Sequence, residues 1–293
     1  MVKRSEANGV TLTELLVVLA VLAFLLLMVL SLQQTRTMDP RIPCGTHLSG
    51  IGKAMLLYSN DFDDKLPRAG GGHTEWAARV ADWQGKDRKA AYGLDANDSG
   101  GQASISASLY LLVKYMQVEP RCFVCPGERK TKEFRLESYG LGDGKTSLVD
   151  LWDFGPEPSK HCSFAYQMLY AGRALTVSSE PGFAIAADRN PWLDEKRAKS
   201  FPQFKPPLDP LRSTAEQNRL GNTLTHKGDG QNVMFLDTHV EFKTQSCCSL
   251  ENDNIYTSWD GTNKVRGTLP KLGSRPADEW DSLLVNDPLA LKD

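Results

Sequence analysis

Glu14 is a carboxylate set inside an apolar run, "GVTLTELLVVLAVLAFLLLMVL", from Gly9 to Leu30. A charge held in hydrocarbon costs on the order of a few kcal/mol, so such an acid needs a partner, an interfacial position or a task. Charge pairing is the chemistry it offers. Near the other end, His226, Asp237, His239, Cys247 and Cys248 have the residue types of a zinc centre. Asp237 and His239 share a strand face only if no turn intervenes, and neither HExxH nor another paired histidine spacing is present. Cys122 and Cys125 in "RCFVCPGE" make half of a four-cysteine zinc site, with no second CxxC to complete it. Asp61, Asp63 and Asp64, and Asp95 in "DANDSGG", are candidate calcium ligands, because calcium takes several hard oxygens. Counting from Asp95, Ser106 stands at the twelfth place, where an EF-hand carries an acid. No G-x-S-x-G elbow occurs, and "GLGDGK" lacks the rest of a phosphate-binding loop. The chain is therefore read as a non-enzyme with no catalytic residue and no cofactor, calcium apart.

These side chains depend on elements that can be sketched from periodicity. From Val10 to Leu32 the apolar stretch gives a helix of ~35 Å, enough for a hydrocarbon core of ~30 Å. A buried core helix would show a polar face, and this stretch has none. An ordinary secretory signal cut after Ser31 is the competing reading, with Val29 and Ser31 as its small-residue positions. Lys3 and Arg4 precede the run and Arg36 and Arg41 follow it, so charge does not set its orientation. A net charge of −2 gives no basic field for nucleic acid. Six cysteines (Cys44, Cys122, Cys125, Cys162, Cys247 and Cys248) fit disulfides in an oxidising compartment, with fifteen full pairings open.

Beyond the apolar run, Pro40 and Pro43 predict a break. Helix resumes with Leu48, Ile51, Met55, Tyr58 and Phe62 on one stripe, Thr46 as its candidate cap, and a sheet as the surface it packs on. Gly52 and Ala54 allow a close approach to that neighbour. Residues 70–101 read as a long polar surface excursion, and "SISASLYLLVKYMQ" as a short helix with Leu109, Leu112, Val113 and Met116 on one side. "SFAYQMLYAG" and "GFAIAADRN" read as strands, and "FPQFKPPLDPL" as an extended loop. "NVMFLD" and "HVEFK" predict a hairpin around Asp237-Thr238. The polar tail after Cys248 could wrap the head, join neighbours or stay loose.

Gly9, Val10, "TLTELLVVLAVLA" and Glu14 resemble the N-terminal signal of type IV pilins and type II secretion pseudopilins. That resemblance implies that a prepilin peptidase cuts between Gly9 and Val10 and methylates the Val10 amine. Glu14 then becomes the fifth mature residue and pairs with the α-ammonium of a neighbouring subunit. Two departures are Val10 in place of the usual phenylalanine, and Ser31 in a region where many pilins carry a helix-bending proline. "CGTHLSGIGKAMLLYSNDFDDKLP" is similar to a segment of an H-x9-D-G pseudopilin-like group, through Cys44, Leu48, Gly52, Ala54, Tyr58, Asp61, Leu66 and Pro67; His47 replaces its asparagine. Cys125-Pro126 matches that group's F-x-C-P turn, and the resemblance implies a bridge involving Cys44 or Cys125. His226 and Asp237 match its H-x9-D-G signature, except that ten residues separate them and Thr238 replaces glycine.

The resemblance implies an α+β, pilin-like fold: a hydrophobic N-terminal helix, then a head with an antiparallel sheet and long loops. It divides the chain into a leader (1–9), a membrane and filament-core helix (10–33) and an exported head (34–293). The implied function is a structural subunit of a type II secretion pseudopilus or type IV pilus-like filament. Its partners would be the prepilin peptidase, other pilin or pseudopilin subunits, the assembly platform and the membrane, with no nucleic acid. Its place would be the inner membrane, single-pass, with the head in the periplasm or on the cell surface. The other reading is a membrane-anchored, exported metal- or ligand-binding module or enzyme.

Overall fold

The computed structural model describes residues 11–32, 39–169 and 175–288, with side chains in the first stretch given to Met28. The chain divides into two compact units, the second beginning at Pro40. In the first unit, α1 spans Leu12–Leu32, ~32 Å at the α-helical rise. Thr11 and Glu14 start it as a capping box: Glu14 Oε2 accepts from Thr11 N and Thr11 Oγ1, both at 2.9 Å, and Glu14 N donates to Thr11 Oγ1. Two of the amides that a helix start leaves without carbonyl partners are thereby satisfied. Residues 11–28 are exposed throughout, Leu12 at 75% and Leu27 at 65%. No helix among the described residues is long and apolar enough to cross a membrane.

The second unit is an α+β head, as expected. Its first helix, α2 (Arg41–Asp61), starts earlier than Thr46. Pro40 is the cap residue and Pro43 lies in the first turn, where amides have no intrahelical acceptor and proline costs little. Thr46 lies inside the helix instead, its hydroxyl donating to Ile42 O. Leu48, Ile51, Met55 and Tyr58 are buried. They pack toward a five-stranded antiparallel sheet in the order β6–β5–β4–β3–β7. Its strands are β3 (Phe164–Gln167), β4 (Ala184–Asp188), β5 (Gln231–Phe235), β6 (Val240–Lys243) and β7 (Leu284–Val285). Helix and sheet approach closely at Gly52, since a Cβ there would sit 2.6 Å from Met234 Sδ.

β3, β4 and β5 are buried on both faces. Phe164, Tyr166, Ile185 and Met234 join one apolar cluster with α2 and with α4 (Ile105–Met116). Ala165, Ala187, Val233 and Phe235 join a second with Trp192, Phe204, Ile255 and Tyr256. A register shift between Ala184 and Ala186 places Ile185 and Ala186 in the same cluster, as a bulge does.

Residues 70–101 depart from the expected surface excursion. β1 (Glu75–Trp76) pairs in parallel with β2 (Gln102–Ala103), and α3 (Arg88–Tyr92) runs from an Asp87 cap to Gly93 at φ +66°. Trp76, Val80, Ala91 and Tyr92 are buried. Single apolar anchors at irregular spacing leave no period to read, yet each fills the core. In α4 every residue from Ile105 to Val113 is buried, where one apolar side was expected. The proline-rich loop holds two short 3₁₀ turns, Phe201–Gln203 and Pro210–Arg212. Short helices α5 (Glu195–Ala198) and α6 (Ala215–Gly221) flank it. The hairpin forms as expected, with Thr238 taking the left-handed conformation, φ +69°.

The tail wraps the head. β7 extends the sheet beside β3, and the buried Asp287 carboxylate accepts from Ile105 N and Ser106 N at the start of α4. Asp153 lies beside Asp287, and both carboxyl groups are within hydrogen-bond reach of the Ser106 hydroxyl. Burial first, and the Asp287 charge second, push the Asp153 carboxyl up to about 8.

Candidate functional site

Four elements bring potential ligand atoms to one buried point. Cys44 lies in the first turns of α2, and Cys125 just beyond the 3₁₀ turn Pro120–Phe123. Asp188 ends β4, and His226 lies in the turn that leads into β5. Each residue contributes one sulfur, nitrogen or oxygen, and these atoms lie within 4.8 Å of one another. All four residues are buried.

Asp188 is the hub. Its Oδ2 is 3.0 Å from His226 Nε2 and accepts from Asn232 N at 2.7 Å and Asn232 Nδ2 at 3.3 Å. Its Oδ1 lies 2.9 Å from Cys44 Sγ. The Tyr256 hydroxyl donates to the Asp188 carbonyl; burial first, and the Asp188 charge next, push that phenol well above its ordinary range. Asn232 Nδ2 also donates to Arg41 O, and a Cβ on Gly45 would stand 3.0 Å from Asn232 Oδ1, so the start of α2 rests directly on this amide. Phe242 meets the His226 ring edge-on, and Arg41 stacks over Phe242. His226 Nδ1 has no hydrogen-bond partner among the described residues.

Cys44 and Cys125 are joined as a disulfide, Cα to Cα 5.0 Å, across 81 residues of chain. The other four cysteines are free, against the expectation of further bridges. Cys162, Cys247 and Cys248 donate to backbone carbonyls of Phe164, Val265 and Ser246 instead. Burial pushes the Cys162 and Cys247 thiols up to about 12, so both stay protonated at neutral pH.

Several sequence candidates do not converge. Asp237 is exposed in the hairpin turn and pairs with His239, while His226 pairs with Asp188. The structure thus separates the two halves of the H-x9-D-G resemblance, because the turn carries Asp237 away from the strand start where His226 sits. It does not gather His226, Asp237, His239, Cys247 and Cys248 either. Among the described residues the calcium candidates form no common group. Asp63 pairs with Lys65, and Asp95 Oδ1 accepts the amides of Asn97 and Ser99, as a turn acid does. Sequence reasoning missed Asp188, which sits in "AIAADRN" without a ligand-type neighbour. Strand position was the only available signal, and it does not say what lies across the sheet.

The N-terminal signal lies in a different part of the chain. Gly9 and Val10 fall outside the described residues, whereas Glu14 is described within the capping box. Residues 4–30 match the family model of the prokaryotic N-terminal methylation motif. This chain carries a prepilin-type signal. The motif supports a type IV pilin-like precursor, implies processing by a prepilin peptidase with assembly among pilin subunits, and implies membrane anchoring through the N-terminal helix. No curated protein and no solved structure matches the chain.

Proposed function

We propose that this protein is a structural, non-catalytic pseudopilin-like subunit, cut between Gly9 and Val10 and assembled through α1. The observation that carries the reading is the methylation motif over residues 4–30. The exposed apolar surface of α1 supports it: Leu15, Leu19, Leu22 and Leu26 are each more than half exposed. Lipid before assembly and neighbouring helices after it would remove that surface from water. The apolar sequence continues past Met28 to Leu32, which gives the length a span needs.

In the uncut chain Glu14 is held by Thr11. Cleavage would create an α-ammonium on Val10, the charge that a carboxylate in low dielectric requires. In a filament, the Val10 of a neighbouring subunit would supply it and set axial register. Removing one partner of such a pair costs ~3–5 kcal/mol, because a lone charge is left behind. The head would face outward as a secretion pseudopilus or pilus-like surface.

The test is the N-terminus and mass of the protein from host membranes, beside a Gly9→Ala form. The reading expects a chain beginning at methylated Val10, and an uncut chain in the variant. A wild-type chain beginning at Met1 or Leu32 would sink it.

A further inference from the structure

We propose that Cys44, Cys125, Asp188 and His226 form a zinc site whenever the two cysteines are thiols, the disulfide being the alternative state of the same two sulfurs. Two thiolates, one imidazole nitrogen and one carboxylate oxygen are the donors that tetrahedral Zn²⁺ takes, and their number fills a closed structural site. Bond lengths of ~2.0–2.3 Å separate tetrahedral ligands by ~3.3–3.8 Å. The present atoms already lie within 4.8 Å. Reaching that geometry requires the two sulfurs to part and the contacts of Asp188 to Cys44 Sγ and His226 Nε2, now 2.9 and 3.0 Å, to open slightly.

Burial makes the case stronger than composition does. Asp188 is fully buried and His226 is 4% exposed. Cys44 Sγ lies 2.9 Å from Asp188 Oδ1. A thiol satisfies that contact by donating its proton, and a cation satisfies it by bridging the two atoms. A disulfide sulfur has no proton to give, so in that state the carboxylate faces a lone pair. Asn232 donates to Asp188 Oδ2 from both its backbone and its side chain, as outer-shell groups do to a ligating carboxylate.

Binding moves no electrons. Zn²⁺ displaces two thiol protons, which leave to solvent, and forms two Zn–S bonds; the site then carries two thiolates and a carboxylate against the dication. Starting from the disulfide, a phosphine reductant opens the S–S bond. It becomes the phosphine oxide, with water supplying its oxygen and the two thiol protons.

The experiment uses the full-length chain in detergent, reduced with a phosphine, loaded with Zn²⁺ or Co²⁺ and freed of excess metal. Metal content, the thiolate-to-Co²⁺ charge-transfer band and far-UV circular dichroism are then recorded. The expected result is about one metal per chain, with the charge-transfer band present. His226→Gln and Asp188→Asn should each weaken binding by at least about tenfold, while Asp237→Asn leaves it unchanged. If reduction unfolds the chain, zinc restores the fold. The proposal is overturned if the reduced chain keeps its fold and titratable Cys44 and Cys125 yet holds only substoichiometric metal. A reduced chain that unfolds and is not rescued by zinc overturns it equally.

Discussion

Glu14 and Asp188 are both carboxylates in apolar stretches of sequence, and the molecule supports them in opposite ways. Glu14 stands on an exposed helix and takes its hydrogen bonds from Thr11, three residues away. Asp188 lies at the end of an interior strand and meets Cys44 and Asn232, respectively 144 and 44 residues away. The first arrangement can be read from a short window of sequence, because a helix brings i and i+3 together whatever the rest of the chain does. The second exists only once α2, the Cys125 turn, β4 and the turn before β5 have closed on one another.

Substitutions at the two carboxylates should therefore separate sharply. Asp188→Ala leaves His226 Nε2 and the Asn232 backbone amide without the carboxylate they share, and we expect a loss of ~3–5 kcal/mol in chemical denaturation of the chain. Glu14→Ala removes only the capping box, and the head's transition should not move. Equal shifts for both would erase the contrast.

A smaller effect tests how α2 is placed. Gly52→Leu drives a side chain into Met234 and Thr238, for an expected cost of ~1–3 kcal/mol measured the same way. A neutral result would mean that the helix does not sit as close to β5 as described.

The pH dependence sharpens the comparison inside the head. The folded state holds Asp153 neutral by raising its pKa from the ordinary carboxylate range to about 8. Stability from this group is full below the unfolded pKa and is lost as pH rises through about 8, at most ~1.4 kcal/mol per pH unit for one proton. The melting temperature should fall from about pH 4 to about pH 8, and Asp153→Asn should reduce that slope. Burial raises Asp253 to about 8 as well, so part of the slope should remain. A slope identical in the variant would show that Asp153 is ionised in the fold.

The smallest effect is expected at Asp237. It matches the family signature, yet it is exposed and its carboxylate bonds to His239 within the same turn. Asp237→Asn should change stability by no more than ~0.5 kcal/mol, read from the same denaturation curves. A loss comparable to Asp188→Ala would restore the pairing that the resemblance suggested.

What could be read in advance follows the same division. The stripe on α2 from Leu48 to Tyr58, the strands within "SFAYQ" and "AIAAD", and the hairpin at Asp237-Thr238 are periodic and local, and each forms, while Phe62 falls just past the helix end. Residues 70–101 carry Trp76 and Tyr92 at irregular intervals, so their burial gave no signal. Cys44 and Cys125 were both visible in the sequence, but four other cysteines were equally eligible partners until the fold placed them.

The sequence alone determined the N-terminal signal, because Gly9, Glu14 and the apolar run are read by their spacing along the chain, and from Leu12 onward a helix converts spacing directly into position. Tertiary structure decided the buried cluster, with Asp188 at its centre. Its ligand-type atoms come from four separate elements, and only the packing of α2 across the sheet brings them within reach of one another.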